Sequence, residues 1–140
     1  MYTGTMRSQR GFTLFELLVV ISIIALLIAL ATVSFTTAQQ NGRDSRRRGD
    51  MIGMRNALEQ YYAINGSYPD GCTAGNLASV LPNGLPVDPK NDASYEYTFT
   101  CTADAYCVCG EVERSGTGNS TTNDCSDMTA GDYFCAQNLQ

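Results

Sequence analysis

The reading of this chain turns on residues 10–31, Arg10-Gly11-Phe12-Thr13-Leu14-Phe15-Glu16 followed by LLVVISIIALLIALA. Across residues 17–31 Ser22 is the one polar residue, and no charge appears between Glu16 and Arg43. A transmembrane helix needs about 20 mainly apolar residues, so this run is long enough to span a bilayer. Leu, Ile and Ala dominate it, and neither Gly nor Pro interrupts residues 12–41, which selects helix. Glu16 stands out. A carboxylate well inside a bilayer costs about 2.5–3.5 kcal/mol on insertion scales, and so calls for a partner or a purpose.

The rest of the composition narrows the class. The chain has 140 residues, six Cys, no His, no Trp and a net charge of −5. That length suits one domain beside the apolar segment, and the cysteines favour an oxidising, extracytoplasmic setting. Without His the usual metal ligand and general base is missing. Nothing resembles a nucleophile–base pair, a phosphate loop or paired catalytic carboxylates, so no enzyme is expected.

Gly11-Phe12-Thr13-Leu14-Phe15-Glu16-Leu17-Leu18-Val19-Val20-Ile21, behind the short basic leader of Arg7 and Arg10, resembles the N-terminal signature of type IV pilins and type II secretion pseudopilins. The resemblance implies an α+β pilin fold, with a long N-terminal helix packed on a small antiparallel β-sheet head. It implies cleavage by a prepilin peptidase between Gly11 and Phe12, N-methylation of Phe12, and a role for Glu16 in assembly, its charge pairing with the terminal amine of a neighbouring subunit. The implied partners are copies of the chain itself, other pilins or pseudopilins, the peptidase and an inner-membrane assembly platform. The implied location is the cell membrane, single-pass with the head outside, and then a surface or periplasmic filament. That filament is either a type IV pilus or a type II secretion pseudopilus. A competing reading takes Arg7 and Arg10 as the n-region and residues 17–30 as the h-region of a secretory signal. The chain would then be cut after Ala31 at Ala29-Leu30-Ala31, releasing or anchoring a disulfide-rich binding domain. Glu16 has no role in that arrangement.

The expected organisation is a leader at 1–11, a transmembrane and filament-core helix at 12–37, its amphipathic second half at 38–66, and a disulfide-rich head at 67–140. Residues 6–11 alone form a complete short leader, so Met1 and Met6 both stand as starts. Met51, Met54, Leu58, Tyr61 and Tyr62 recur at helical spacing on one face, with Arg55, Asn56, Glu59 and Gln60 on the other. Gly42, Gly49 and Gly53 each cost about 1 kcal/mol against Ala, and a kink near Gly42 is expected. Asn65-Gly66 should end the helix as a left-handed cap, with Pro69 behind it. The Tyr-rich helix end leading into Asn65-Gly66-Ser67-Tyr68-Pro69 is similar to that of pseudopilins. So are the loop Pro86-Val87-Asp88-Pro89 and the run Tyr95-Glu96-Tyr97. Further expectations are a short helix over 77–82, strands over 95–101 and 106–113 joined by a hairpin at 102–105, a mobile Gly/Ser/Thr/Asn loop at 115–124, and a last edge strand over 132–137.

Charge divides unevenly. Arg43, Arg46, Arg47 and Arg48 follow the apolar run, while beyond Asn56 two cations face eleven carboxylates, a net of −9. One reading is a solvated helix face with i,i+4 pairs such as Asp44–Arg48. The other is a basic collar meeting anionic lipid headgroups or the acidic heads of adjacent subunits. The positive-inside rule would put this basic flank in the cytoplasm; the resemblance and the cysteines put it outside.

Cys72, Cys101, Cys107, Cys109, Cys125 and Cys135 read as a disulfide framework for a small core, with fifteen connectivities open. Cys107 and Cys109 share a strand face and cannot easily pair with each other, so the segments holding Cys125 and Cys135 are candidate partners. A zinc site is disfavoured, since no C-x-x-C pair and no His is present. Asp124, Asp127 and Asp132 are candidate calcium ligands, because Ca²⁺ takes six to eight oxygens and some related pseudopilins hold calcium in a C-terminal loop. The decisive measurement on this sequence is mass spectrometry of the mature N-terminus. An N-methylated Phe12 is the expected result, and Thr32 as first residue would establish the secretory-signal reading instead.

Overall fold

The computed structural model describes residues 11–81 and 83–139; the expected leader other than Gly11 lies outside the described residues, as does Pro82. The chain forms two units that divide between Thr37 and Ala38. Helix α1 (Leu14–Asn65) contributes to both.

In the first unit α1 buries nothing. Leu14, Leu17, Leu26 and Leu30 are each more than half exposed, and the segment is long and apolar enough to cross a membrane. Its hydroxyls bond back to the helix: Ser22 Oγ donates to the Val19 carbonyl at 2.7 Å, Thr32 Oγ1 to Ala29 at 3.0 Å and Thr36 Oγ1 to Val33 at 2.9 Å. Hydrocarbon offers polar groups no partner, and these side chains need none from it.

In the second unit the later turns of α1 are amphipathic. Met51, Met54 and Leu58 are fully buried against Tyr68, Leu77, Leu81, Tyr106, Val108 and Ala136. Burying each of these apolar side chains contributes about 1.5–3 kcal/mol, which is why α1 continues through Gly49 and Gly53. It is helical through Gly42 as well. The helix ends where Gly66 takes φ +75° and its N–H donates to the Tyr62 carbonyl at 2.8 Å, a conformation that Gly adopts without a Cβ penalty. A short helix, α2 (Ala74–Val80), begins three residues before the expected 77 because the Thr73 hydroxyl caps it, accepting from the Asn76 N–H.

Three antiparallel strands follow, β1 (Thr98–Cys101), β2 (Tyr106–Glu111) and β3 (Tyr133–Gln137), in spatial order β1-β2-β3. The period-two alternation puts Tyr106 and Val108 on the face toward the helix and Cys107, Cys109 and Cys135 on the other. Gly110 falls on the helix-facing side, where a Cβ would lie 3.0 Å from the Tyr97 ring. Both expected long strands are shorter than their sequence patterns. Tyr95 leaves the ladder because its N–H closes a turn on the Asp92 carbonyl and its ring stacks under Arg47 and Lys90. Glu113 leaves it to meet arginines. The expected mobile loop at 115–124 is instead tied down: Ser120 is fully buried and pairs with Tyr133, and the Thr117 carbonyl accepts from Arg48 at 2.7 Å. Glu59, expected on the outer helix side, accepts from the Tyr68 and Tyr106 hydroxyls and the Leu139 N–H.

The largest correction concerns the arginines. Arg47 is fully buried and forks onto Asp88 through Nε and Nη2 at 2.6 and 2.9 Å. Its Nη1 donates to Asp44 at 2.7 Å and to Glu113 at 3.1 Å. Arg43 forks onto Glu113 at 2.5 and 2.6 Å, and Asp44 accepts from the Glu113 and Arg114 backbone N–H groups. Asp44 therefore pairs with Arg47 at i,i+3, and not with Arg48. Neither the solvated face nor the collar facing other molecules describes Arg43 and Arg47, which close on carboxylates of their own chain. Arg46 alone of the four is exposed.

Two substitutions and a titration test this lock. The hydrogen bonds from Arg43 and Arg47 outweigh burial and draw Glu113 down to about 2; burial works against the charge of Asp88 but its bonds to Arg47 and the Lys90 N–H outweigh it, lowering Asp88 too. Carboxylates depressed in the folded state contribute stability above their unfolded values, and that stability is lost as pH falls through the folded ones. Thermal melts of the full chain in detergent should thus show Tm falling between about pH 4.5 and pH 2. Arg47→Ala should cost about 3–5 kcal/mol at neutral pH, since it strands buried carboxylates. Arg46→Ala should change stability by less than about 0.5 kcal/mol.

Candidate functional site

Gly11 and Phe12 precede the first turn of α1, and Phe12 is 91% exposed. A helix start leaves backbone N–H groups without partners. Here Thr13, immediately before the helix, accepts from the Glu16 N–H through Oγ1 at 3.2 Å. Glu16 reaches back, and its Oε2 accepts from the Thr13 N–H at 2.8 Å and the Thr13 hydroxyl at 2.9 Å. This is a reciprocal capping box. It holds the carboxylate beside the Phe12–Thr13 peptide, next to the position at which cleavage after Gly11 would create an amine. The Thr-x-x-Glu spacing was open to reading from the sequence as a helix-start signal, which the resemblance-based view of Glu16 passed over.

The cysteines form three bridges: Cys72–Cys101, Cys107–Cys125 and Cys109–Cys135. The first ties the connection between α1 and α2 to the end of β1. The second ties the 115–131 segment to β2, and the third crosses directly opposed residues of β2 and β3. The candidate calcium ligands are each engaged locally. Asp124 accepts from the Ser126 N–H, Asp127 from the Thr121 and Thr129 hydroxyls, and Asp132 from the Ser115 hydroxyl and the Gly116 N–H. The Ser126 and Thr122 hydroxyls, with the Ser126 N–H behind them, pull Asp124 down to about 2, and the bonds named for Asp127 and Asp132 lower those carboxyls.

Residues 6–32 match the family described as the prokaryotic N-terminal methylation motif. The chain is 32% identical over 106 residues to the type IV wide pilus major component PilA4 of Thermus thermophilus, covering 74% of this chain and 73% of that protein. It is 32% identical over 108 residues to the type IV major pilin protein PilE1 of Neisseria gonorrhoeae, covering 77% of this chain and 55% of that one. It is 28% identical over 86 residues to the type II secretion system core protein G of Vibrio cholerae, covering 61% and 58%. The chain thus spans little more than half the length of the last two.

The bridge from Cys72 to Cys101 offers a direct check on how the head is held. It closes a long loop across α2 in a unit with a small core, and such a bridge contributes about 3 kcal/mol, mainly by restricting the unfolded chain. The Cys72→Ser/Cys101→Ser double variant should lose that amount in denaturant melts.

Proposed function

The chain belongs to the type IV pilin family, pilins and pseudopilins together, and from that premise we propose that it is a structural filament subunit. A prepilin peptidase cuts it between Gly11 and Phe12 and methylates the new Phe12 amine. The subunit waits in the membrane on the first part of α1 with its disulfide-bonded head outside. An inner-membrane assembly platform then adds it to copies of itself and to other pilins or pseudopilins, in a type IV pilus or a secretion pseudopilus. Calcium belongs to the proposal only as an occupant for Asp124, Asp127 and Asp132.

The observation that supports this reading best is the Glu16 carboxylate, held at the start of an exposed apolar helix beside the Phe12 peptide. In a lone subunit Thr13 partners it. Both hydrogen bonds fall on Oε2, and Oε1 is the oxygen offered to the Phe12 amine of a second copy. In a low-dielectric filament interior that pair attracts far more strongly than it would in water. The apolar side chains supply packing area, and the charge pair supplies register.

Glu16→Val should therefore insert into membranes as well as wild type or better, while the ratio of filament to membrane-pool subunit falls about tenfold or more at equal expression. Electron microscopy and blotting of sheared surface fractions give that ratio. Thr13→Ala removes the cap hydroxyl but keeps the carboxylate, and should assemble close to normally. Equal assembly by wild type and Glu16→Val would confine Glu16 to capping its own helix, and would remove the main support for the proposal.

A further inference from the structure

The outer face of the sheet carries four sulfurs in one place. Cys107, Cys109, Cys125 and Cys135 have Sγ atoms that all lie within 4.8 Å of one another. The Cys107 and Cys109 sulfurs approach to 3.4 Å across bridges, and those of Cys109 and Cys125 to 3.9 Å. A tetrathiolate zinc centre has Zn–S bonds of about 2.3 Å, which sets its sulfurs about 3.8 Å apart. Between the two bridges, the sulfurs of Cys107 and Cys125 therefore already stand from that of Cys109 at close to the spacing of a metal centre. We propose that this cluster has a second state, in which the reduced cysteines bind one zinc-class divalent cation that takes over the work of both disulfides.

The absence of a C-x-x-C pair argued against zinc at the level of sequence, because that spacing belongs to a turn. A strand follows another rule. Residues i and i+2 project from the same face, so Cys107-Val108-Cys109 presents two ligands from one strand. Cys135 is the register partner of Cys109, and Cys125 arrives on the loop in a left-handed conformation, φ 58°. The Cα separations, 5.9 Å for Cys107–Cys125 and 4.1 Å for Cys109–Cys135, leave side-chain rotation as the movement needed. Three of the cysteines are buried and Cys125 is half-buried. It borders an open cleft with Thr100, Tyr106 and Asp124, which gives a reductant or an ion a way in. Cys72 and Cys101 lie on the helix-facing side of the sheet and take no part.

The chemistry balances with a thiol or phosphine reductant. Each disulfide takes up two electrons and two protons and yields two thiols, while a thiol reductant gives up both and is oxidised to its disulfide, or a phosphine gives up the electrons and becomes its oxide, with water supplying the oxygen and the two protons. Binding the cation as a tetrathiolate then releases four protons to solvent. In either state the 115–131 segment stays tied to β2 and β3. A head not yet oxidised, or one meeting a reducing surrounding, keeps its shape while metal is present.

The test uses the full chain in detergent micelles, reduced with a phosphine and titrated with Co²⁺ alone. One Co²⁺ per chain with thiolate-to-metal charge-transfer absorption is expected. The Cys72→Ser/Cys101→Ser variant should bind within about twofold of wild type, and Cys109→Ser should bind about tenfold or more weakly. Cys125→Ser repeats the second test at a loop position without disturbing the strands. Zn²⁺, but not Mg²⁺, should restore protease resistance to the reduced head. The proposal is overturned by a reduced wild-type chain without charge-transfer absorption, by equal binding in all the variants, or by a reduced head that stays protease-sensitive in Zn²⁺.

Discussion

One buried guanidinium, that of Arg47, determines how the second unit is put together. It meets Asp44 from its own helix, Asp88 from the loop before β1, and Glu113 just after β2. A buried ion pair is an expensive way to gain stability, because desolvation takes back most of the attraction. What a forked Arg–carboxylate contact supplies is geometry, since two parallel bonds fit one orientation only. Burial of Met51, Met54 and Leu58 is non-directional, whereas the Arg47–Asp88 fork fits one orientation of the helix. Tyr97 reinforces the same register by donating to Asp50 at 2.7 Å.

This lock also explains how a strongly acidic head sits on its helix. Glu113 and Asp88, both among the eleven carboxylates beyond Asn56, are neutralised by arginines of the same chain. Glu59 acts as a second hub, gathering two tyrosine hydroxyls and the Leu139 N–H near the other end of the helix. For Arg43 and Arg47, the charge complementarity between a basic stretch and an acidic head is satisfied inside one molecule. The carboxylates left on the surface, such as Asp70, Asp92 and Asp104, keep the head anionic.

The sheet has two faces of different character. One packs Tyr106, Val108 and Ala136 against Met51, Met54 and Leu58 of α1, with Tyr62, Tyr68 and Tyr106 in successive ring contact at 4.7 and 4.8 Å. Among the described residues the other is covered by loop and by sulfur. A three-stranded sheet with one helix-covered face is a small core, and the cysteines secure the side on which no helix lies. Ser120 and Asn119 do the same by hydrogen bonds, Asn119 exchanging both of its amide groups with the Cys135 backbone.

Local rules in the sequence determined a great deal. An uncharged apolar run followed by the Met51–Met54–Leu58 period specifies one long helix in two environments, because periodicity and length act within a single segment. Gly66 ended it as the left-handed cap its position demanded, and alternation over 106–111 chose which side of the strand the cysteines take. Glu16 was legible as a charge out of place, and Thr13-x-x-Glu16 as its local partner. The fate of Arg43, Arg47, Glu59 and Glu113 was decided only by tertiary structure. A charged side chain on a helix reads as solvated until some distant stretch brings a carboxylate or hydroxyl to it, and no local spacing encodes that approach. The same holds for the cysteines: six of them announce bridges, but the pairing of β2 with β3 places Cys109 opposite Cys135, and the fold of the 115–131 segment brings Cys125 to Cys107. Register is a property of two strands at once, so neither strand's sequence contains it.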